Sequence, residues 1–352
     1  MSTQAKLIAA GAVVAVAALL AFVLLRVDSD PQSADKQVWN YSIWGPPRAF
    51  TAGIEKAKEI LEEAGAGRFE LKIHYAGAIA PAKEHLDAIQ IGLIEAARIC
   101  VGYYPGKMPL AQVLELPFIL TDDTLTNVKI IDAVFRHPLV AEELAQRWNT
   151  KYLFVGVLTP YEFMGNRRIA SLKDMRGVRM RISGANATLL EEFDAVATMV
   201  TAPEAYTALE RGTIDMIGFP WTDSFGVFRL HEVSQYATIG IGMGGFACMS
   251  GVSIDAWNRL PDDLKALLPR IRDEAVKAYI DAYARGDERW IPIFEKRLEI
   301  VHFPESERAE MVAKAIPLWA EWAAKLDAKG MAGTEMLEFT KAQAAKFSQE
   351  SR

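Results

Sequence analysis

Residues 171–221 read SLKDMRGVRMRISGANATLLEEFDAVATMVTAPEAYTALERGTIDMIGFPW, and this stretch is the most informative part of the sequence. A short basic strand ends at Arg181, a helix is predicted around residues 187–195, and an apolar strand follows at residues 214–217. Ligands of strand–helix–strand units gather at the carboxyl ends of the strands, and Arg181 lies near such an end. Because a guanidinium can donate two hydrogen bonds to one carboxylate, the stretch suggests a receptor for an organic anion.

Composition sets the size and broad class of the protein. With 352 residues, of which 51% are hydrophobic and 24% charged, the chain is long enough for two domains with separate cores. The formal net charge of −6 argues against a nucleic-acid partner, since general nucleic-acid binders carry a basic surface. An anion receptor can still be acidic overall, because only the field in its cleft must be positive.

The N-terminus predicts export. Lys6 precedes an uninterrupted apolar run at residues 7–25, and Arg26 follows it. This pattern is typical of a cleaved signal peptide, although 19 apolar residues are also enough for an uncleaved membrane anchor. Under either reading the remainder of the chain lies in the periplasm, and under the second it is held at the inner membrane.

The two cysteines, Cys100 and Cys248, lie 148 positions apart, each in an apolar run. Free cysteine is among the most buried residue types, so buried free thiols are favoured here. A disulfide is the alternative, because an exported protein meets an oxidising environment.

No catalytic apparatus is visible in the sequence. The five histidines are scattered, and no metal-binding spacing, GxSxG elbow, Walker phosphate loop or GxGxxG opening a helix occurs. The sequence therefore predicts no catalytic residue, no metal ligand and no cofactor. An exported enzyme that acts on small acids is the weaker alternative to a receptor.

Apolar periodicity predicts alternating strands and helices. Strands are expected at residues 38–43, 69–75 and 96–101, with helices at residues 49–64 and 82–94 between them. This β-α-β-α-β order implies a parallel sheet with right-handed crossovers. Later segments are expected to form strands that cross between lobes, at residues 152–159 and 238–253, and a long amphipathic helix at residues 262–283.

Five phrases of the sequence carry a family resemblance. They are YYPGKMPLAQVLELPF at residues 103–118, SLKDMRGVRMR at 171–181, APEAYTALERGTID at 202–215, HEVSQYAT at 231–238 and IDAWNRLPDD at 254–263. In this order they resemble the DctP-type substrate-binding proteins of tripartite ATP-independent periplasmic (TRAP) transporters. The resemblance covers roughly residues 38–283.

The predicted fold is α/β and two-lobed, resembling periplasmic binding proteins. Each lobe is expected to be a mainly parallel sheet flanked by helices, with hinge strands and a long helix joining the lobes around a ligand cleft. The predicted parts are a signal peptide or anchor at residues 1–26, a linker at 27–37, lobe I at 38–157 and 246–285, lobe II at 158–245 and 286–325, and a C-terminal helical tail at 326–352.

The resemblance implies a receptor that captures a small organic acid, closes on it at the hinge and delivers it to TRAP membrane permease subunits. In this family the arginine that ends the second phrase usually pairs with the ligand carboxylate, and here that residue is Arg181. No cofactor is implied, although a metal-bridged carboxylate occurs in a few relatives. A ligand-sensing receptor for a signalling protein needs the same cleft closure and stays open as an alternative, as does the choice between monomer and dimer.

Departures from the family pattern bear on the ligand. Sialic-acid-type members carry a further arginine near the place where Tyr161 stands. Where many members have an asparagine that would bind the ligand, this chain has Phe219, and Trp221 follows it closely. These changes remove polar contacts and add aromatic area, so the ligand is expected to be a monocarboxylate, 2-oxo acid or aromatic acid rather than a sugar acid.

Three further residues are candidates for the cleft. Trp44 follows the first strand and is expected either to stack on the ligand or to staple its own turn. Arg98 on the third strand either reaches the cleft or forms a structural ion pair. His74 ends the second strand, where a lone histidine is more often a core group with satisfied hydrogen bonds.

Overall fold

Two β-sheets flanked by helices organise the protein in the computed structural model, which describes residues 36–182, 184–244 and 246–350. The predicted signal peptide or anchor lies outside the described residues. None of the helices in these three ranges is long and apolar enough to cross a membrane.

Eleven strands lie between Gln37 and His302 of the described residues. They are β1 (Gln37–Ser42), β2 (Phe69–His74), β3 (Ala96–Cys100), β4 (Thr150–Gly156), β5 (Tyr161–Gly165), β6 (Arg179–Arg181), β7 (Val196–Thr198), β8 (Met216–Pro220), β9 (Tyr236–Met243), β10 (Cys248–Ser253) and β11 (Glu299–His302).

Helices connect most of these strands. They are α1 (Ala52–Gly65), α2 (His85–Gln90), α3 (Thr124–Phe135), α4 (Pro138–Trp148), α5 (Asn186–Glu191), α6 (Ala205–Glu210), α7 (Asp223–Val227), α8 (Ile254–Arg259), α9 (Asp262–Lys265), α10 (Leu268–Arg297), α11 (Glu305–Asp327) and α12 (Gly333–Glu350). Short 3₁₀ turns fill several connections, including Ala111–Glu115.

Each sheet forms one lobe. The first lobe has the strand order β2-β1-β3-β10-β4, and the second has β11-β9-β5-β8-β6-β7. The two-lobed α/β prediction is confirmed, but the sheets are mixed rather than mainly parallel. β1 pairs in parallel with β2 and β3, whereas β10 runs antiparallel to β3 and β4, and β5 runs antiparallel to β8 and β9.

Two strand crossings explain the mixed pairing. The chain leaves β4 of the first sheet for β5 of the second, and it returns from β9 to β10. After each crossing, the strand that arrives from the other lobe, β5 or β10, lies between two strands of its new sheet and runs antiparallel to both. The crossings lie where the sequence predicted the hinge strands.

A single long helix joins the lobes on one side. The 30-residue helix α10 packs on α1 of the first lobe and on α7 of the second. Gly53 lets the Tyr279 ring approach the backbone of α1, and Gly226 does the same for Trp290 at α7, because a Cβ at either position would overlap the ring. Helix α12 packs on α3 and α11, at the outside of the first lobe.

A disulfide fastens the central strands of the first lobe. Cys100 on β3 and Cys248 on β10 are direct partners in the antiparallel register, and their sulfurs are bonded. The prediction of free thiols is therefore wrong. Both cysteines are fully buried, as expected, but only the pairing of a crossing strand with β3 brings them together, and the sequence did not reveal that pairing.

Removing this disulfide should destabilise the protein. We expect the double variant Cys100→Ala/Cys248→Ala to lose about 2–4 kcal/mol of unfolding free energy, because the bond closes a long loop in the unfolded chain. Urea denaturation with and without a thiol reductant measures it. The reductant should lower the wild-type midpoint and leave the double variant unchanged; two titratable thiols in the unreduced, denatured wild type would contradict the pairing.

Candidate ligand-binding site

A small cavity of about 30 Å³ lies between the two lobes, and we call it the interlobe cavity. Aromatic side chains and two arginines from both lobes form most of its wall. The first lobe contributes Trp44, Arg48, Phe50 and Tyr103; the crossings contribute Leu158 and Phe246; and the second lobe contributes Tyr161, Arg181, Ala202, Phe219, Pro220, Ser224 and Phe228.

Arg181 occupies the position that the strand–helix–strand reading predicted. It ends β6, which runs parallel to both β7 and β8, so its side chain projects at the carboxyl edge of three parallel strands. Arg179, on the same strand, instead lies at the surface and forms a two-pronged ion pair with Asp215, with N–O distances of 2.9 and 2.6 Å.

The Arg181 guanidinium is buried without a counter-charge. Only 1% of Arg181 is exposed, and the central carbon of its guanidinium lies 4.3 Å from the centroid of the Phe219 ring. Nε donates to the carbonyl of Val200 at 2.7 Å and Nη1 donates to that of Gly218 at 3.2 Å. Among the described residues no carboxylate forms an ion pair with Arg181, and Nη2 donates no hydrogen bond. Because burying an unpaired charge is costly, this arrangement suits an arriving anion.

Aromatic rings shape the rest of the interlobe cavity. The Tyr103 ring meets Trp44 and Phe246 edge-on, with centroids 5.4 and 4.8 Å away. On the second lobe, the rings of Phe219 and Phe228 lie 6.1 Å apart. These rings present apolar surface next to the guanidinium, which fits a ligand with a charged head and an apolar body.

Tyr103 carries a polar contact between the lobes. Its buried hydroxyl accepts a hydrogen bond from the backbone N–H of Ala202 at 3.4 Å. Burial raises the pKa of Tyr103, and the positive charges of Arg181 and Arg48 oppose that rise. The phenol is therefore neutral near pH 7 and lies within electrostatic reach of both guanidinium groups.

Four of the predicted site residues meet at the interlobe cavity: Arg181, Phe219, Tyr161 and Trp44. Trp221 does not line it. The Trp221 ring instead packs against Phe225 and Phe294, with centroids 5.8 and 5.3 Å away, and its carbonyl accepts a hydrogen bond from the hydroxyl of Thr159. Since side chains alternate along an extended chain, Phe219 and Trp221 would share a face only if the strand continued, and β8 ends at Pro220.

Arg98 and His74 also lie away from the cavity wall. Arg98 is fully buried in the first lobe, where it donates to the hydroxyl of Tyr279 and lies 4.7 Å from the centroid of the Phe50 ring. Within the described residues, Arg98 neither lines the interlobe cavity nor forms an ion pair, the two alternatives expected from the sequence. The Nε2 of His74 lies 3.0 Å from Oδ1 of Asn40, at the end of the edge strand β2.

Sequence reasoning missed Arg48 and the acid that faces it. Arg48 follows a Gly-Pro-Pro turn after β1, and its guanidinium lies 5.6 Å from the centroid of the Phe228 ring on the other lobe. Asp223 begins α7, and its Oδ1 accepts from the N–H of Ala49 at 3.2 Å. Its buried Oδ2 has no hydrogen-bond partner in the part of the chain that the structure describes. Burial raises the pKa of Asp223, and Arg48 opposes the rise. The one sequence signal that could have indicated Arg48 is its position directly after the Gly-Pro-Pro turn that follows β1.

Two lobes that enclose a buried guanidinium with no ion-pair partner among the described residues are the arrangement expected of a receptor for small anions. The family comparison agrees with this class. The chain belongs to the bacterial extracellular solute-binding proteins, family 7, named DctP, whose family model matches residues 42–326. The predicted family is thus confirmed, and it is a family of solute receptors.

Individual relatives are distant. A monocarboxylate 2-oxoacid-binding periplasmic protein of Nostoc sp. is 26% identical over 250 residues, an alignment that covers 68% of this chain and 66%, just under two thirds, of the relative.

Solved structures share the fold. A marine metagenome TRAP solute-binding protein specific for aromatic acid ligands has a TM-score of 0.75 and 21% identity, covering 88% of this chain and 99% of the other. A TRAP solute-binding protein of Rhodoferax ferrireducens, with copurified benzoate, has a TM-score of 0.76 and 19% identity, covering 90% and 99%.

Proposed function

We propose that this protein captures a small monocarboxylate with an apolar or aromatic body and delivers it to TRAP membrane permease subunits. The observation that carries the proposal is the buried guanidinium of Arg181, which has a free donor and no ion-pair partner among the described residues. A carboxylate bound there supplies the missing charge and accepts a charge-assisted hydrogen bond.

The apolar wall supports the choice of ligand body. Phe219 lies directly beneath the guanidinium, and Phe228, Phe246 and Trp44 add aromatic surface around it. A sugar acid would leave most of its hydroxyls without partners on such a wall, which costs free energy for each buried polar group. Relatives named for 2-oxo acids, aromatic acids and benzoate agree with an acid of this kind.

Closure of the two lobes is the proposed mechanism of capture. Two hydrogen bonds join the lobes beside the cavity, from Ala202 N–H to the Tyr103 hydroxyl and from Ala49 N–H to Asp223. Such contacts require the cleft to be shut. Because a cavity of about 30 Å³ has room for only a water or two, its wall must widen around a bound acid, and a ligand that then touches both lobes shifts the population toward the closed form. The crossings after β4 and β9, with α10, are the elements that would absorb the rotation.

The cellular setting follows the family. We propose that the receptor works in the periplasm, with residues 1–26 serving either as a signal peptide or as an anchor at the inner membrane. The lobe boundaries predicted from the sequence, at residues 157/158, 245/246 and 285/286, belong to the same proposal.

Matched acids and amides test the proposed ligand class. Benzoate and phenylacetate should each raise the melting temperature, because a ligand that binds only the folded state stabilises it by mass action. Benzamide and phenylacetamide keep the shape of these acids but lack the charge, so they should leave the melting temperature unchanged. Equal shifts with acids and amides, or no shift with any acid in a wider panel of monocarboxylates, would contradict the proposal.

A further inference from the structure

We propose that Arg48 determines ligand specificity by donating a hydrogen bond to an uncharged oxygen of the ligand. The proposal rests on the proposed function and narrows it. The ligand would be a monocarboxylate with a keto or hydroxyl oxygen on the side that faces the first lobe. Its carboxylate would bind Arg181, and its second oxygen would bind Arg48.

The turn after β1 holds the Arg48 side chain in place. Nη1 donates to the carbonyl oxygens of Trp44 and Pro46, both at 2.9 Å. Gly45 has a φ of +70°, and a Cβ there would lie 2.8 Å from Nη1 of Arg48, so this turn requires glycine both for its backbone and for the close approach of the guanidinium.

The remaining donors of Arg48 are available to a ligand. In the described part of the chain neither Nε nor Nη2 of Arg48 donates a hydrogen bond, and the residue belongs to the wall of the interlobe cavity. An arginine fixed at one nitrogen and free at the others loses little side-chain entropy when it binds an acceptor.

Arg48 and Arg181 approach the cavity from opposite lobes. The guanidinium of Arg48 lies 5.0 Å from the centroid of Phe50 and 5.6 Å from that of Phe228, whereas Arg181 lies over Phe219. Both guanidinium groups act electrostatically on the hydroxyl of Tyr103. A ligand that touches both arginines therefore bridges the lobes, which couples recognition of its second oxygen to closure.

The charges around the two arginines differ. Asp223 acts on Arg48 and partly offsets its charge, although no ion pair forms between them, whereas no acid pairs with Arg181 in the described residues. Arg98 also acts electrostatically on Arg48, and Asp287 acts on Asp223. Hence the carboxylate belongs at Arg181 and a neutral acceptor at Arg48.

The same charges disfavour a dicarboxylate. A second carboxylate at Arg48, which is half-buried, would lie near Asp223, whose buried Oδ2 has no hydrogen-bond partner among the described residues. Like charges placed together in a desolvated site discriminate against a ligand by repulsion. A keto or hydroxyl oxygen accepts the hydrogen bond without that cost.

Ligand pairs that differ in one oxygen test the proposal on the wild-type protein. Phenylpyruvate should bind about 10- to 100-fold more tightly than 3-phenylpropanoate. The second acid lacks the keto oxygen, so the donor of Arg48 would be left without a hydrogen-bond partner. The pair of 3-hydroxybenzoate and benzoate is a second test, and phenylsuccinate, a dicarboxylate, should bind more weakly than phenylpyruvate. Calorimetric titration gives each affinity.

Variants assign the preference to Arg48. In Arg48→Met the preference for the oxygen-bearing acid should fall to less than about 3-fold, and Arg48→Lys, which keeps the charge without the fork, should retain part of it. Arg68→Met, which removes a surface arginine of the same lobe paired with Asp263, is the control and should keep the full preference.

The outcomes separate the two proposals. If Arg48→Met lowers the affinity for both acids of a pair by the same factor, or if the wild type shows no preference for the oxygen-bearing acid, the role of Arg48 is overturned. Capture of a monocarboxylate is left intact by either result. If the wild type binds no acid at all, both proposals fall. Melting temperatures of the unliganded variants within a few degrees of the wild type confirm that the comparison is between folded proteins.

Discussion

Replacing Arg181 by alanine should lower the affinity for the bound acid by about 100-fold or more, because the partner of a buried charge pair is removed and the ligand carboxylate is left desolvated. Arg181→Lys should recover part of the loss, since an ammonium keeps the charge but cannot donate the two parallel hydrogen bonds of a guanidinium. Isothermal titration with the tightest-binding acid of the panel measures both effects.

The chain offers a matched control for this variant on the same strand. Arg179 lies two residues before Arg181, and its guanidinium is exposed and paired with Asp215. Arg179→Ala should change the affinity by less than about 3-fold, because exposed ion pairs contribute little. An affinity for Arg181→Ala within 3-fold of the wild type would show that the carboxylate is bound elsewhere.

The second large effect is expected at Glu115, a buried carboxyl group at the hinge. Its Oε1 accepts from the N–H of Ala247 at 2.8 Å, in the crossing before β10, while no described residue forms a hydrogen bond with the buried Oε2. The backbones of Gly102 in the first lobe and Gly184 in the second lie close to Oε2. Burial raises the pKa of Glu115 to about 8, and the single N–H of Ala247 opposes this only in part.

The sign of the pH dependence follows from this shift. The ordinary pKa of the carboxyl is 4.5, so between pH 4.5 and about 8 the folded state binds more protons at Glu115 than the unfolded state does. Stability from this group is therefore fully present below pH 4.5 and is lost as the pH rises to about 8. At pH 9 we expect Glu115→Gln to be more stable than the wild type by on the order of 4 kcal/mol, with the advantage disappearing toward pH 4.5.

Urea denaturation of both proteins across pH 4.5–9 measures this difference. Other groups, such as Glu143 and Glu162, whose pKa values burial raises to about 7, contribute to the pH dependence of either protein alone. Subtracting the wild-type unfolding free energy from that of Glu115→Gln at each pH cancels the contributions of these other groups. A stability difference that stays constant with pH would mean that Glu115 titrates near its ordinary pKa in the folded state.

The early strands could be predicted because their signals are local. β1, β2 and β3 lie within one residue of the predicted segments, since β1 and β2 alternate apolar and polar residues and β3 is a short apolar run. By contrast, β5, β7 and β11 were not predicted. β5 is five residues long and packs between two strands of the second sheet, and its place is defined by pairing with residues far along the chain.

The predicted bounds of the long helix differ from the observed ones at two prolines. The predicted helix at residues 262–283 divides into α9 and α10, with Pro269 in the first turn of α10, and α10 then continues through Pro292 to Arg297. In the interior of a helix proline removes one hydrogen bond and tends to kink the helix, but packing on both lobes outweighs that cost here.

The candidate site was predictable only where a local motif fixes a side chain. Arg181 follows from its strand and its phrase, and Phe219 from the neighbouring strand. Arg48 could not be recognised as a site residue from the sequence, because its neighbours Phe228 and Asp223 belong to the other lobe. Trp221 does not line the interlobe cavity because β8 ends before it. From the sequence, Arg98 was expected either to reach the cleft or to form a structural ion pair, whereas the tertiary fold buries it against Tyr279.

The most direct test of the central claim is a crystal structure of the protein with the acid that co-purifies with it or binds it most tightly. We predict that a carboxylate oxygen lies about 2.7–2.9 Å from a nitrogen of the Arg181 guanidinium, with the body of the acid against Phe219 inside the closed cleft. An acid bound outside the interlobe cavity, or bound within it with its carboxylate away from Arg181, would contradict the claim.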